Sequence, residues 1–438
     1  MLSSIWARTR IFFLTLAFLT GASGFARDFE TWLIDQSDSF GKAYGGTIHI
    51  YNGSHLNGSN AASVRPTDVL DLGLATAQLC IEQTAAYPVR PHMLAFNSTY
   101  SHAILTFVAS GHVVIFDAAR RRPIACIRTS AGAGGRQAHA AEPTPNDLYI
   151  FVANQNGKFL ERISTDYANN RFVRDATLDL ANGMTPNGLP MQFASGAGSS
   201  GRPDNAPILA VPNSTSTLIF VTLRGGGLFV VNPKTMQVVA EYDNLFVKAN
   251  GFGGIEANGG MYINSGAGTH PTNPSNFAVY RFPLSGFAAM NGPNTPAPRE
   301  VFIDSPPHPE RDAHGLVATR HKRYIWVLDR AMNVAEVFDT SFGGRVNTIA
   351  LDHPSIPGLT PDLADISPSG NRIFVSLRGP NPLSGSPHAA TGAVPGIGVI
   401  HVTEGGRGGV LRSVVRISNK DASGVERADP HGIRVRLK

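Results

Sequence analysis

The sequence predicts an all-β protein, a seven-bladed β-propeller of four-stranded antiparallel blades closed by its own C-terminal strand. Three observations predict it. Glycine (46) and proline (30) are abundant in 438 residues while only 16% are charged, the composition of a chain of short strands and turns. Paired strand patterns recur every 45 to 60 residues or so. The two ends of the chain also complete one another, because the first repeat lacks an inner strand and His431 to Lys438 supplies an inner-strand pattern with no hairpin after it.

The repeats are read from period-2 alternation and short apolar runs separated by Gly, Asn or Ser turns. Thr31–Asp35 pairs with Thr47–Tyr51, His102–Ala109 with His112–Asp117, and Leu148–Ala153 with Lys158–Ile163. Thr217–Leu223 pairs with Gly227–Val231, Met261–Asn264 with Phe277–Phe282, Arg323–Asp329 with Val334–Phe338, and Arg372–Leu377 with Gly396–His401. A strand before and a strand after each hairpin complete a blade, as His92–Asn97 and Pro123–Thr129 do for the second. No amphipathic helix is expected between them. Three Gly-, Pro-, Ser- or Asn-rich stretches, Ala181–Asp204, Pro283–Arg299 and Gly379–Pro395, read as long loops.

Residues 1–26 read as a secretory signal peptide, leaving 27–438 as one propeller domain. Arg8 and Arg10 precede an apolar run from Ile11 to Leu19 broken only by Thr15, and small residues lead to Gly24-Phe25-Ala26. The run is too short to span a bilayer, so a soluble periplasmic or secreted protein with no membrane insertion is expected. A formal charge of +5, with Lys and Arg never clustered beyond Arg120-Arg121-Arg122, argues against nucleic-acid binding. A monomer is expected. Cys80 and Cys126 read as outer-strand residues of adjacent blades, where blades splay apart, so free buried thiols are expected rather than a disulfide.

The segments Pro145–Asn154 and Ser367–Val375 resemble the broad superfamily of seven-bladed propellers with YVTN-type repeats, which includes lactonase-like and cytochrome d1-like domains. The resemblance implies the fold over nearly the whole mature chain. It implies no particular activity, because this architecture carries catalysts, electron carriers and scaffolds alike.

A polar residue recurs near the start of each inner strand. Twelve positions before the anchors Phe151, Tyr262, Trp326 and Phe374 stand His139, Asn250, His314 and Asp362; fifteen before Phe107 and Phe220 stand His92 and Asn205; the C-terminal strand contributes His431. Inner strands line the central channel, so these residues should converge at one mouth. Four neutral imidazoles, His92, His139, His314 and His431, are suited to a transition metal ion (Fe, Cu, Mn or Zn), with Asn205, Asn250, Asp312, Asp362 and Asp429 as orienting neighbours. The repeated Asp312-Ala-His314-Gly-Leu and Asp429-Pro-His431-Gly-Ile suggest an Asp that orients each His and a Gly that permits close backbone approach. Arg224, Arg330 and Arg378, four residues after three of the anchors, should open on the same mouth and favour an anionic ligand, unless they pair with loop carboxylates instead. The other ten histidines read as surface, loop or strand residues. There is no Gly-x-Ser-x-Gly elbow, Walker loop, His-Glu-x-x-His or Cys-x-x-Cys-His in the chain.

Two functions follow. One is a metal-dependent enzyme on a small organic substrate, anionic if the arginines meet it, with oxidative chemistry placed ahead of lyase or lactonase-type hydrolase work. The other is a non-catalytic propeller that binds a protein or glycan through its loops.

Overall fold

Inner strands in this chain begin with a single paired residue and then bulge, and that irregularity builds the centre of the molecule. The computed structural model describes residues 28–57, 61–181, 204–266, 277–287, 292–305, 311–383 and 391–438. The segment read as a signal peptide and much of the three long loops lie outside these residues, as do His270, His308 and His388.

Seven four-stranded antiparallel sheets form the blades. Their inner strands are Pro430–Leu437 (blade 1), Pro91–Phe96 (blade 2), Ala138–Pro143 (blade 3), Pro207–Pro212 (blade 4), Gly251–Ala257 (blade 5), Ala313–Ala318 (blade 6) and Pro361–Ile366 (blade 7). Each inner strand touches the next one round the ring, and the strand of blade 7 touches that of blade 1. Closure follows the expected route: Pro430–Leu437 pairs antiparallel with Phe29–Asp35, so both termini build one blade. Glu30 fastens that seam. Its carboxylate accepts from Trp32 Nε1 (2.9 Å), from Arg121 (2.8 Å) and from Arg436 of the closing strand (3.1 Å). Burial opposes the charge, yet these donors hold the carboxyl below its ordinary range.

Middle strands are covered on both faces by neighbouring blades, which is why Tyr-Ile-Trp-Val-Leu-Asp at 324–329 is buried at every position. Outer strands such as Arg171–Asp179 are mostly exposed and polar. The His-rich strand starts inform the fold as well. His102 and His112, read as strand residues, are buried in their strands. His112 is pushed down to about 3 by burial and by the nearby Arg128 and Arg136, so it is neutral.

The cysteine expectation is overturned. Cys80 and Cys126 form a disulfide with a Cα separation of 5.3 Å. The outer strand of blade 1 ends at Asp71, and Cys80 sits instead on an eight-residue helix, Ala77–Thr84, that crosses to the outer strand of blade 2, Arg122–Arg128. Good helix formers fill this segment, Gln78 donates to Glu82 one turn on, and Asp71 caps the short turn before it. The absence of helices expected from the sequence is corrected by the same segment. Cross-linking residues 46 apart contributes about 4 kcal/mol on the loop-entropy model. Among the described residues, no helix is long and apolar enough to cross a membrane.

Candidate metal centre

In all seven blades the register shifts just after the first residue of the inner strand. A bulge bends the strand and re-aims the next side chain. The residues at that second position are His431, His92, His139, Ile208, Phe252, His314 and Asp362 in blade order. They meet round the axis. His431 stacks on His92 (3.9 Å between centroids), His92 meets His139 edge-on (4.5 Å), and Phe252 stacks on His314 (3.5 Å). Asp362 closes the arc, lying 2.9 Å from His314 Nε2 and accepting from His431 Nδ1 at 2.6 Å.

Hydrogen bonds between blades hold the ring backbone in place. Thr106 Oγ1 donates to the His139 carbonyl (3.2 Å), Thr222 Oγ1 to that of Phe252 (3.0 Å), Asn264 Nδ2 to that of His314 (2.8 Å) and Ser376 Oγ to that of His431 (2.6 Å). Each donor is the penultimate residue of a second strand and reaches the next blade. Reading the sequence for candidate ligands missed all four. A lone polar residue at a fixed place in an otherwise apolar strand was the available signal.

The expected close approach at two glycines is confirmed. A Cβ on Gly315 would lie 2.3 Å from the Asp362 carbonyl oxygen, and one on Gly432 would lie 2.7 Å from the His92 carbonyl oxygen. Only glycine lets adjacent inner strands approach this closely, which brings the ring residues within reach of one another.

Asn205 and Asn250 do not belong to the ring. Asn205 precedes its strand and donates to the Leu180 carbonyl (2.7 Å), and Ile208 holds the equivalent position. That is twelve residues before Phe220, so the fifteen-residue offset was three too long. Asn250 also lies outside its strand, in a left-handed backbone conformation. In blade 5 Gly251 pairs with Ser265, whereas in blade 6 Ala313 pairs with Asp329, so blade 5 is two residues shorter and Phe252 takes the place. The apolar pair Ile208 and Phe252 thus interrupts the polar ring on one side.

Asp312 and Asp429 do not orient the histidines that follow them. Asp312 accepts from Arg330 Nε (2.7 Å), and Asp429 accepts two bonds from Arg378 (2.7 and 2.8 Å). Arg378 also donates to Asp362 (2.7 Å), and Arg330 lies 3.5 Å from it. Arg224 pairs with Asp204. All three arginines therefore meet carboxylates, which leaves little to draw an anion to the mouth. Burial raises Asp312 and Asp429 in spite of these partners. Asp362 is also buried, but His431, His314, Arg378 and Arg330 outweigh that and hold it well below the usual carboxylate range.

The structure divides the four histidines. His92 donates through Nδ1 to Gln36 Oε1 (2.8 Å), and its Nε2 lies 3.3 Å from His139 Nε2, so His92 is satisfied at both nitrogens while His139 Nδ1 is buried without a partner among the described residues. Gln36, which itself reaches Asp429, was not visible as a site residue in the sequence. The compact group is instead His314, Asp362 and His431, whose ligand atoms lie within 4.8 Å of one another. Among the described residues His431 Nε2 is buried without a hydrogen-bonding partner, and the buried His314 Nε2 and Asp362 Oδ1 face only each other, at 2.9 Å, outside hydrogen-bonding geometry. Because His431 gives its Nδ1 proton to Asp362, its Nε2 carries a lone pair. Burial lowers all four imidazoles, His139 to about 3 and His92 and His314 well below their ordinary value, so each is neutral near pH 7. Three carboxylates (Asp312, Asp362, Asp429) against two guanidinium groups (Arg330, Arg378) leave one buried negative charge, which suits a cation.

No protein-family model and no curated protein sequence matches the chain. Solved structures do share its fold. A protein of Lactobacillus plantarum superposes with a TM-score of 0.58 at 11% identity, over 93% of this chain and 99% of its own. A "putative 6-phosphogluconolactonase" of Bacteroides fragilis gives 0.57 at 11% identity, over 93% and 98%. The β-propeller domain of Cps50 (Swd1) from Myceliophteria thermophila gives 0.50 at 10% identity, over 76% and 88%. At these identities the likeness establishes the seven-bladed fold.

Proposed function

We propose that the chain is an exported metal-dependent enzyme acting on a small organic substrate at the channel mouth, its ion held by His314, Asp362 and His431. The observation that carries this reading is the convergence of His314, Asp362 and His431, whose ligand atoms lie within 4.8 Å of one another, with His431 Nε2 buried and without a hydrogen-bonding partner among the described residues. Buried polar atoms are otherwise almost always satisfied, and two imidazoles with one carboxylate form a ligand set for a divalent transition metal. Export and maturation near Arg27 follow from the signal-like N-terminus.

A divalent ion in this group would supply Lewis acidity toward a carbonyl oxygen. The residues around it do the rest. Asp362 fixes the His431 ring, and Arg378 and Arg330 fix Asp362. Phe252, stacked on His314, and Ile208 beyond it make one wall apolar and limit water there. His139 is the most exposed imidazole of the ring and is neutral, so it adds no charge beside the group. That set suits hydrolysis of a lactone or similar cyclic ester, and one fold neighbour carries a lactonase name. Oxygen chemistry is the second reading, because two histidines and one carboxylate also hold non-haem iron.

The test is to strip the purified protein with chelator, reload it with Zn, Mn, Fe or Cu, and follow a panel of five- and six-membered lactones by proton release, with oxygen uptake in parallel. Lactone opening that vanishes on stripping and returns with one metal is expected. Lactone opening of the same rate with and without metal would overturn the proposal, as would neither reaction with any of the four.

A further inference from the structure

Far from the channel, at the outer rim between blades 2 and 3, lies an open cavity of about 440 Å³. Thr84, Arg128, Thr129, Ser130, Arg136 and Arg174 line it, beside the disulfide-linked Cys126. We propose that this cavity binds a tetrahedral dianion, phosphate or sulfate, free or as the ester head of a small molecule.

Charge is the first argument. Among the described residues neither Arg128 nor Arg136 pairs with a carboxylate, and burial and then the nearby Arg136 disfavour the charge of Arg128. Arg174 lies 3.3 Å from Glu161, whose oxygens are also taken by the Ser130 amide and Asn154 Nδ2. Three guanidinium groups against one carboxylate leave two positive charges around one concavity. Two buried arginines of this chain show the usual remedy: Arg311 has Asp329 and Glu336, and Arg378 has Asp429 and Asp362. Two like charges held together without a counterion cost free energy that an anion would recover.

Preorganisation is the second. Arg128 donates through Nε to the Ser110 carbonyl (3.1 Å), and Arg136 through Nε to the Thr129 carbonyl (2.7 Å). Both forks are thereby fixed at the neck, and their terminal nitrogens donate to no acceptor among the described residues. Fixed guanidinium forks match the oxygen spacing of phosphate and sulfate. His112, behind the wall, stays neutral while it bridges Ser110 and Thr84, so it adds no charge and shapes the wall instead. The disulfide ties the helix end carrying Gln83 and Thr84 to the strand carrying Arg128, which keeps the two sides of the cavity together.

The full chain should be titrated calorimetrically with inorganic phosphate and, separately, with sulfate, at constant ionic strength and pH 7.5. Saturation at one site is expected. Arg128→Gln and Arg136→Gln should each weaken it about tenfold or more, the loss of one charge-assisted contact. Arg136→Lys, which keeps the charge but not the fork, should fall between, and serves as the folded variant if a Gln change proves insoluble. Arg120→Gln, which removes an exposed arginine in the turn at the far end of the same outer strand, should change nothing. Tighter phosphate assigns the site to phosphate esters and tighter sulfate to sulfate esters. No saturation by either anion at ~10 mM, or equal weakening by Arg120→Gln, would overturn the proposal.

Discussion

Asp362→Asn is expected to empty the metal site and remove at least about three orders of magnitude from kcat/KM, the scale of losing an essential ionised group. The carboxylate does four jobs at once. It receives the His431 proton at 2.6 Å, lies 2.9 Å from His314 Nε2, accepts from Arg378 at 2.7 Å and lies 3.5 Å from Arg330. An amide keeps the shape but brings no charge, so Arg378 is left with Asp429 alone. Removing one partner of a buried ion pair costs about 3–5 kcal/mol, and denaturant unfolding of the variant should show that loss. Acid should act on the same group with a definite sign. The folded pKa of Asp362 is depressed, so its contribution is present above the ordinary carboxylate range and disappears as pH falls through the folded value. The neutral histidines act earlier: their folded pKa values are lowered, so stability falls as pH drops below about 6.5, where the unfolded chain takes up protons first. An Asp362→Asn protein that kept its metal would show that the ligand group has been misread.

Deleting Gly432–Lys438 is expected to yield no folded protein. The segment provides most of the inner strand of blade 1, with Ile433 and Val435 buried and Arg436 paired to Glu30. Its loss opens the ring, exposes the edge of Phe29–Asp35 and takes Arg436 and Lys438 away from the buried Glu30 carboxylate. Together these exceed the net stability of about 5–15 kcal/mol typical of a folded domain. Expression of the truncated chain, followed by sedimentation and circular dichroism, checks this. A soluble monomer with the wild-type melting transition would contradict closure by the C-terminus.

The blades were legible in the sequence because each is a local object. Alternation, short apolar runs and turn residues mark Arg323–Asp329 or Arg372–Leu377 without reference to anything distant. His92, His139, His314, Asp362 and His431 were also legible, since five blades place a polar residue at one point. What escaped notice depends on the third dimension. A bulge in the inner strand decides which residue turns inward, so Asn205 and Asn250 looked equivalent to His139 while Ile208 and Phe252 hold the places. The roles of Asp312 and Asp429 were misassigned because the nearest histidine in sequence is not the nearest cation in space; Arg330 and Arg378 come from second strands and reach them first. The disulfide was misjudged for a similar reason. Leu79-Cys80-Ile81 was read as a strand in phase with the repeat, whereas the local helix preference of Ala77–Thr84 carries Cys80 across to the neighbouring blade.

One ion at His314, Asp362 and His431 is the centre of the proposed function, and metal stoichiometry measures it directly. Wild-type protein loaded in turn with Fe, Cu, Mn and Zn, then desalted, should retain about one equivalent of its preferred metal. His314→Ala should retain almost none with the fold intact, and His321→Ala, an exposed change seven residues on, should retain as much as wild type. Wild-type protein that keeps well below one equivalent of every metal, or His314→Ala that keeps as much as wild type, would contradict it and leave the loop-binding scaffold in its place.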